Sequence, residues 1–354
     1  MAEPLSPKRL LVIRLDRIGD VVLSTPVVQV LRQKFPHAFI AMLVRRVCQD
    51  LVQGNPYLNE VLLYDKEVEH RSAWSTLRFA RGLRRYEFDT ALMLHPSNRS
   101  HWIPWLAGIP IRVGYDWKAK RLLTHPLPHR KQEGARHEAL YTLDMLRLFG
   151  IEAADPRPHV PIQAAANHRI ETLLSASPPD AAARLIAVHP SASCVSKRWM
   201  PERFAEVADR LIAQQKARIC LVADEPDAVF AHQVASAMRH PALNLAGQLN
   251  LAELAALLRH CRLLISNDSG PVHIAAAVGT PVVDIFGRNN RGLSPQRWKP
   301  LGEGHVVLHK EVGCVTCLHK ECDIGFLCLT SLSAEEVYAA AVSVLSRAAE
   351  PQAR

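Results

Sequence analysis

Short apolar runs alternate along the first half of the chain with segments whose apolar residues recur every three or four positions. The strand-like runs are RLLVIRL, AFIAMLV, EVLLYD and DTALMLH. The segments between them include PVVQVLRQKF and WSTLRFARGLRRY, whose periodicity is that of amphipathic helices. Strands that alternate with helices are typical of a parallel sheet covered by helices. The pattern therefore predicts an α/β fold.

The alternation restarts after residues 151–184, which are rich in proline, alanine and serine. The strand-like runs of the second half are LIAVHP, RICLVA, RLLISND and PVVDIFG. Two such halves predict two Rossmann-like domains whose parallel sheets face a central cleft and bind ligands at the carboxyl ends of their strands. We expect an N-terminal domain over residues 1–165, an interdomain connection over 166–184, a C-terminal domain over 185–330, and a final helix and tail over 331–354.

Composition places the chain among large folded proteins. It has 354 residues, 48% of them hydrophobic. No apolar run approaches the roughly 18 residues that a membrane span needs. The first residues read as a strand and lack the small-residue cleavage site of a signal peptide. We therefore expect a cytoplasmic protein whose cysteines are reduced.

Charge is distributed unevenly between the two halves. Residues 1–150 hold 23 lysines and arginines against 14 acidic residues, so the whole net charge of +9 lies there. A basic half beside a neutral half indicates an anionic partner, such as nucleic acid, an anionic membrane surface or a phosphorylated substrate. The alternative is a basic surface that is merely solvated.

The segment ISNDSGPVHIAAAVG carries the strongest local signal. A strand ends at Asn267, and Pro271 is placed to open a helix that Asp268 or Ser269 would cap. The free backbone N–H groups at such a helix start form an anion site, which Gly270 leaves open to a ligand and His273 can reach. The alternative is an ordinary capped helix with a surface histidine.

Two further segments follow predicted strands. In HPSASCVSKRWMPERF, small hydroxyl residues and Lys197 suit a diphosphate, although a solvated basic loop fits equally well. In RLDRIGDVVLSTP, Thr25 and Pro26 fit the N-cap and first position of a helix. Asp20 would then lie in the preceding loop, where a carboxylate at the end of a strand is a natural general base.

Four cysteines, Cys314, Cys317, Cys322 and Cys328, lie within 15 residues and enclose His319. Cysteines at this density are able to bind zinc or an iron–sulfur cluster. Their spacing matches no standard motif, so we favour reduced thiols that pack a loop, and we expect no bound metal or cofactor.

Together these segments resemble glycosyltransferase family 9, which includes the lipopolysaccharide heptosyltransferases. VIRLDRIGDVVLSTPVVQVLRQKFP resembles its N-terminal signature, and the segments that begin at His189 and Ile265 resemble its two donor-side motifs. RHEALYTLDMLRLFGI and CVTCLHKECDIGFLCLTSLSAEEV resemble further segments of the family, in order. The likeness covers nearly the whole chain.

The resemblance implies a GT-B fold and an inverting, metal-independent transfer of heptose from ADP-heptose. The acceptor would be the lipid A-linked inner core oligosaccharide, reached in the cytoplasm at the anionic surface of the inner membrane. That acceptor is rich in carboxylate and phosphate, which fits a positive excess in residues 1–150 and predicts no nucleic-acid partner.

Roles follow from the resemblance position by position. Asp20 matches the general base, and Lys197 matches the lysine that stabilises the leaving diphosphate. The residues implied in donor binding are Ser191, Ser193, Asp227, Leu249, Asp268, Ser269, Gly270 and His273. The basic candidates for acceptor binding are Arg17, Arg99, Arg112, Lys120 and Arg121.

Two segments depart from the family pattern. A Gly-Gly-Pro-like turn is replaced by Ala223-Asp224-Glu225-Pro226 before Asp227, and Pro-Thr-Asp after Gly287 is replaced by Arg288-Asn289-Asn290. Two other functions stay open at this point. One is an epimerase or hydrolase of a sugar nucleotide on the same fold, and the other is a non-catalytic protein whose basic half binds RNA or a membrane.

Overall fold

The computed structural model describes residues 3–152, 155–176, 184–314, 317 and 321–347. The chain divides into two compact units, Met1–Pro161 and Ile162–Arg354. Within the described residues, no helix is both long enough and apolar enough to cross a membrane.

The first unit is built on one parallel sheet. Its strands are β1 (Arg9–Arg14), β2 (Phe39–Arg45), β3 (Glu60–Tyr64), β4 (Thr90–Met93), β5 (Ile111–Tyr115) and β6 (His125–Leu127). Its helices are α1 (Ile18–Val22), α2 (Thr25–Lys34), α3 (Ala73–Gly82), α4 (Asn98–Ala107) and α5 (Glu138–Asp144). The strand order is β3-β2-β1-β4-β5-β6, with every neighbouring pair parallel.

The second unit has a sheet of the same size. Its strands are β7 (Arg184–His189), β8 (Ala217–Leu221), β9 (Leu243–Asn244), β10 (Leu263–Asn267), β11 (Val282–Phe286) and β12 (Val306–His309). Its helices are α6 (Ala164–Ser175), α7 (Pro201–Gln215), α8 (Ala228–Ala237), α9 (Leu251–His260), α10 (Gly270–Ala277), α11 (Pro295–Trp298), α12 (Leu327–Thr330) and α13 (Ala334–Arg347). The strand order is β12-β11-β10-β7-β8-β9, and every pair is again parallel.

The two sheets share one topology. In each, the first and fourth strands of the unit are neighbours, and the chain moves outward from them in opposite directions. Such a switch point leaves a crevice at the carboxyl ends of the two central strands, where open α/β sheets bind ligands. The central strands β1 and β4, and β7 and β10, therefore mark the position of a site in each unit.

The central strands are almost continuously apolar because helices cover both faces of the sheet. Residues 10–13 of β1 and 263–265 of β10 are fully buried. The final helix starts with the predicted capping box, in which Ser333 N–H donates to Glu336 (3.0 Å) and Glu336 N–H donates to Ser333 Oγ (3.2 Å).

The prediction for the segment around Asp20 is wrong in one respect. Asp20 does not lie in a loop, because Ile18–Val22 forms the one-turn helix α1. The next helix has Ser24 rather than Thr25 at its N-cap, and Pro26 occupies an early helical position. Pro26 lies in the first turn of α2, where its missing N–H leaves no helical hydrogen bond unmade.

Candidate active site

A buried arginine organises the carboxyl end of β1. The Arg14 side chain is fully buried, and its Nη1 donates to the carbonyl of Leu94, just after β4, at 3.0 Å. Its Nη2 donates to a carboxylate oxygen of Asp20 and, at 3.1 Å, to Glu138 Oε1. Its Nε lies 3.0 Å from Asp16 Oδ2. Three carboxylates thus converge on one guanidinium at the switch point of the first sheet.

A second cation completes this cluster. Lys131 is buried, and its Nζ donates to Glu138 Oε1 at 2.6 Å and to the Leu94 carbonyl at 3.0 Å. The ammonium also lies 4.9 Å from the ring centre of Tyr115. Glu138 is therefore held between two cations, whereas Asp20 is partly open to solvent and pairs with Arg14.

His95 lies beside the cluster. Its Nδ1 is 3.1 Å from Asp16 Oδ2. Burial, reinforced by Arg14 and Lys131, lowers the pKa of His95 to about 3, so the ring is neutral near pH 7. Burial raises the pKa of Asp16 to about 6, although Arg14 acts in the opposite direction.

The basic residues predicted for the acceptor do not form one group. Arg17 is exposed at the N-cap of α1, and Lys120 and Arg121 are exposed in a short 3-10 helix after β5. Arg99 lies in the first turn of α4 and donates to the carbonyl of Arg71 at 3.2 Å.

The prediction for Arg112 is not supported by its position. It lies at the beginning of β5, which is the amino rather than the carboxyl end of that strand. Its guanidinium donates to the carbonyls of Leu122 (2.6 Å), Ile109 and Pro110. Arg112 therefore braces two loops, and its donors are used by the chain itself.

The second sheet carries a lysine and two aspartates at its switch point. Lys197 ends a short 3-10 helix after β7, and its Nζ forms an ion pair with Asp268, which follows β10. Asp284 lies on the neighbouring strand β11, fully buried, and neither of its carboxylate oxygens has a hydrogen-bond partner in the described part of the chain. Burial, together with Asp268, raises its pKa well above the usual value, against the effect of Lys197.

His189 links the serines of this region. Its Nε2 lies 3.1 Å from Ser191 Oγ, and its Nδ1 lies 3.2 Å from the hydroxyls of both Ser266 and Ser269. Burial lowers the pKa of His189 to about 4, so a neutral ring fixes these hydroxyls near pH 7. Ser191 and Ser269, predicted on separate segments, are thus brought to one histidine.

Helix α10 opens this edge as the sequence predicts, with Gly270 first and Pro271 in the first turn. Ser269 is the N-cap, but its side chain makes no capping hydrogen bond. Pro271 has no N–H, and the Val272 N–H donates to the Ser269 carbonyl at 3.3 Å, so the Gly270 N–H is the first-turn donor left for an anion among the described residues. His273 is buried one turn into the helix.

Arg288 is a further basic residue near this edge. A Cβ on Gly287 would lie 2.5 Å from the carbonyl oxygen of Ser196, so only glycine allows this loop to approach the segment that carries Lys197. Arg288 follows directly and is 3% exposed. Its Nε and Nη2 have no hydrogen-bond partner among the described residues. A buried guanidinium with unused donors is costly unless an anion completes it.

Among the described residues, the remaining predicted donor residues form no hydrogen bond or ion pair with His189, Lys197 or Asp268. Ser193 is exposed, and Leu249 is half-buried just before α9. Asp227 is the N-cap of α8, where its side chain makes no capping hydrogen bond and its N–H points to Asp224 Oδ1 at 3.3 Å.

All eight cysteines are free thiols. Cys314, Cys317, Cys322 and Cys328 lie near one another, and burial raises the pKa of the Cys328 thiol to about 11. In the part of the chain that the structure describes, no three His, Cys, Asp or Glu side chains have the geometry of a metal site. His319 lies outside the described residues.

Sequence reasoning missed several residues of both clusters. A charged residue within an apolar strand would have signalled two of them, since Arg14 ends RLLVIR and Asp284 interrupts VVDIF. No local signal gives the role of the others, most of which have a partner that is distant in the chain. These residues are Asp16, His95, Lys131, Glu138 and His189, whereas Arg288 stands out in the sequence only as a departure from the family pattern.

The model of glycosyltransferase family 9 (heptosyltransferase) matches residues 76–327. The chain belongs to glycosyltransferase family 9. As a member of this heptosyltransferase family it is an enzyme, a glycosyltransferase. The lipooligosaccharide heptosyltransferase 2 of Haemophilus influenzae is 26% identical over 312 residues, which cover 84% of this chain and 88% of that protein.

Solved structures of the family support the same assignment. A family 9 glycosyltransferase from Veillonella parvula superposes with a TM-score of 0.90 at 26% identity, covering 98% of this chain and 100% of that one. The Escherichia coli ADP-heptose LPS heptosyltransferase II gives a TM-score of 0.77 at 23% identity, covering 96% and 99%. The GT-B fold expected for this glycosyltransferase is therefore confirmed.

Proposed function

We propose that this family 9 glycosyltransferase transfers heptose from ADP-heptose to the inner core oligosaccharide of lipopolysaccharide, with inversion at the anomeric carbon and without a metal. The names of its relatives support the sugar and the acceptor, because they are heptosyltransferases of lipooligosaccharide and of lipopolysaccharide. The first unit would bind the acceptor, and the second would bind the nucleotide sugar.

The observation that carries the proposal is the orientation of Asp20 by a buried arginine at a switch point. Arg14 fixes one carboxylate oxygen of Asp20, and the side chain remains partly open to solvent. The second oxygen is then free to accept a proton from an acceptor hydroxyl. A general base needs this kind of fixed position within hydrogen-bond reach of the hydroxyl.

The reaction follows from these positions. Asp20 takes the hydroxyl proton as the acceptor oxygen attacks the anomeric carbon of the donor sugar. The bond from that carbon to the diphosphate oxygen breaks, and its electron pair leaves with ADP. Attack opposite to the leaving group inverts the configuration.

Protein groups of the second unit would meet the charge that develops on ADP. Lys197 and the Gly270 N–H at the start of α10 lie on neighbouring segments at the carboxyl ends of the strands. Cationic and N–H donors that are already in place stabilise developing negative charge without reorganisation. This is the role that a metal ion otherwise fills for a diphosphate, and it supports a metal-independent reaction.

We include Arg288 among the groups that hold the diphosphate. Its unused Nε and Nη2 donors match the paired oxygens of a phosphate group. Because Arg288 replaces a family proline, it would give this chain a contact that the family pattern lacks. The other residues proposed for the donor remain Ser191, Ser193, Asp227, Leu249, Asp268, Ser269, Gly270 and His273.

The acceptor side rests on the basic residues of the first unit. Of the candidates, Arg17 follows β1 and Arg99 follows β4, whereas Lys120 and Arg121 lie next to Leu122, which accepts from Arg112 at the amino end of β5. Because the acceptor is linked to lipid A, we also propose that the enzyme works in the cytoplasm against the anionic inner membrane surface.

Asp20→Asn tests the base directly. The amide keeps the size of the side chain but cannot take up the proton, so we expect transfer to be abolished while ADP binding by calorimetry is unchanged. Asp155→Asn, an exposed carboxylate of the same unit, is the matched control and should transfer normally. Retained transfer in Asp20→Asn would remove Asp20 from this role.

The donor is tested by thermal shift with ADP-heptose and with UDP-, GDP- and CMP-sugars. We expect stabilisation by ADP-heptose alone, since ligand that binds only the folded state raises the melting temperature. Stabilisation by no ADP compound would count against the heptose donor. Release of free heptose or an epimer without any acceptor would favour a hydrolase or epimerase instead.

A further inference from the structure

Four of the six tryptophans of the chain are exposed, and all four lie in the first unit. Trp74 is 66% exposed, Trp102 43%, Trp105 44% and Trp117 47%. Tryptophan is ordinarily highly buried in a folded protein, as Trp199 of the second unit is at 1% exposure. Exposed aromatic residues that cluster mark an interaction surface.

Two of the tryptophans lie side by side on α4. Trp102 and Trp105 are three residues apart, which places them on the same face of the helix. Their ring centres are 5.3 Å apart in an edge-to-face arrangement. The pair therefore presents one continuous aromatic surface to solvent.

Helix α3 carries the third tryptophan with two arginines. Trp74, Arg78 and Arg81 are spaced four and three residues apart, so they follow one stripe of the helix. All three side chains are exposed. This stripe combines an amphipathic ring with two positive charges.

These elements are neighbours in the fold. Helix α3 packs against α4, and the hydrogen bond from Arg99 to the carbonyl of Arg71 joins their amino ends at 3.2 Å. His101 Nδ1 lies 3.2 Å from the Lys118 carbonyl, which ties the loop of Trp117 to α4. The set that we call the Trp–Arg face comprises Trp74, Arg78, Arg81, Trp102, Trp105 and Trp117.

The charge around this face is almost entirely positive. Residues 70–86 contain five arginines and no aspartate or glutamate, and residues 90–115 contain no acidic residue either. Interleaved tryptophan and arginine side chains suit the headgroup region of a bilayer, where the rings lie at the interface and the cations meet anionic lipids.

The face also adjoins the candidate active site of its unit. Ser100 Oγ in the first turn of α4 donates to the carbonyl of His95 at 2.7 Å. His95 in turn lies beside Asp16 and the Arg14 cluster. A substrate anchored in a bilayer under this face would present its polar part close to Asp20.

We propose that the Trp–Arg face is the surface by which this protein lies on an anionic phospholipid bilayer. The proposal rests on the proposed function, whose acceptor is linked to lipid, and it specifies which surface meets the membrane. Tryptophan rings would enter the interface, and Arg78 and Arg81 would contact lipid phosphates.

Vesicle binding tests the face without any reference to catalysis. The full chain is sedimented with vesicles of phosphatidylethanolamine and phosphatidylglycerol, and with vesicles of phosphatidylcholine alone. We expect binding to the anionic vesicles only, with quenching of tryptophan fluorescence by brominated lipid. Trp102→Ser/Trp105→Ser and Arg78→Gln/Arg81→Gln should each weaken partitioning by about tenfold or more.

The matched control is Arg259→Gln/Arg262→Gln, which removes two exposed arginines from the second unit. It should bind the anionic vesicles like the wild type. Melting temperatures close to that of the wild type verify that the exposed substitutions leave the fold intact. Unchanged vesicle binding in both Trp–Arg variants would overturn the proposal, as would loss in the control alone.

Two assays separate this proposal from the proposed function. Transfer to a delipidated, water-soluble acceptor should be unchanged in the Trp–Arg variants, whereas transfer to acceptor embedded in vesicles should fall with their partitioning. Vesicle binding without any heptosyl transfer would support the membrane role of the Trp–Arg face and overturn the proposed heptosyltransferase function. If sedimentation velocity shows a dimer that the tryptophan substitutions disrupt, and no vesicle binding occurs, the face would instead bind a second copy of the chain.

Discussion

The carboxyl ends of β1 and β4 carry a buried arginine among three carboxylates, whereas those of β7 and β10 carry a lysine paired with Asp268, beside Asp284 on the neighbouring strand β11. Both clusters lie at the switch point of sheets with the same strand order. The basic first unit thus has a site rich in carboxylates, and the neutral second unit has Lys197 and Arg288 at its site. Local charge therefore follows the chemistry of each site and not the charge of its unit.

The clusters differ also in how burial is compensated. Arg14 is fully buried; its Nη1 and Nη2 donate to Leu94 and Glu138, and its Nε lies 3.0 Å from Asp16 Oδ2 without forming a hydrogen bond. Asp284 is equally buried, yet its oxygens have no hydrogen-bond partner among the described residues. In the first cluster the charges are paired, and the ion pair with Arg14 holds Asp20 in position. In the second cluster, burial raises the pKa of Asp284, Lys197 pairs with Asp268, and two guanidinium donors of Arg288 have no partner among the described residues.

The largest effect is expected on removing the centre of the first cluster. Arg14→Met leaves three carboxylates around an apolar side chain, and breaking a buried ion pair typically costs about 3–5 kcal/mol. Denaturant unfolding should report this loss, with Arg17→Met at the exposed N-cap as a neutral control. An unchanged unfolding midpoint would contradict the importance of the network.

Lys197→Met should have the next largest effect, on catalysis. Removing a preorganised donor from developing charge typically costs about 10²- to 10³-fold in kcat. Steady-state assay of transfer measures it, and Lys216→Met, at the end of α7, is a matched control. A loss confined to KM would instead indicate uniform donor binding.

Arg288→Gln tests whether the second cluster provides anion donors. Hydrogen bonds to charged groups contribute about 1.5–3 kcal/mol, which corresponds to roughly 10- to 100-fold in affinity. ADP should bind more weakly by this factor in calorimetry, whereas adenosine should bind as to the wild type. Arg262→Gln, which lies just before β10 at the amino end of that strand, should change neither affinity.

Asp284→Asn tests whether the buried carboxyl of Asp284 makes the stability of the protein depend on pH. The folded-state pKa of Asp284 lies well above its usual value of 3.8, so the folded protein binds a proton that the unfolded chain releases. Wild-type stability should therefore fall as pH rises from 3.8 through the folded-state pKa, by at most about 1.4 kcal/mol per pH unit. Asp284→Asn should lack this contribution, and identical pH profiles of unfolding would contradict it.

The smallest effect is expected at Glu336, which lies outside both clusters. Its contribution to stability depends on pH with the opposite sign to that of Asp284. Hydrogen bonds from Lys310 and Ser333 lower the pKa of Glu336 to about 2 from 4.5. Its contribution to stability is then present above pH 4.5 and is lost as pH falls toward 2. Because this pair is well exposed to solvent, Glu336→Gln should cost below about 1 kcal/mol at neutral pH, measured by thermal unfolding.

The elements that the sequence predicted well are those with a local cause. Eight strands appear as apolar runs, and Ser333 and Glu336 form the predicted capping box. The strands β5, β6, β9 and β12 were missed because they are short or partly polar, so that only pairing within the sheet makes them strands.

Only part of the candidate site could be predicted from the sequence, because only part of it has a local cause. Asp20, Lys197 and Asp268 follow predicted strands, so their position at the carboxyl edge follows from topology alone. Glu138 reaches Arg14 from 124 residues away, and Lys131 reaches the same carboxylate through a separate turn. No periodicity reports such pairs, because their contact depends on how the chain packs.

The sequence by itself determined an α/β chain with two parallel sheets, a basic first half and the segments that carry the candidate chemistry. These are consequences of apolar periodicity and of charge, which act over a few residues. Tertiary structure alone decided that Arg14 gathers three carboxylates, that Arg112 faces its own loops, and that Asp284 has no hydrogen-bond partner among the described residues. Burial is the physical reason, since it fixes which charges must pair and which are left for a ligand.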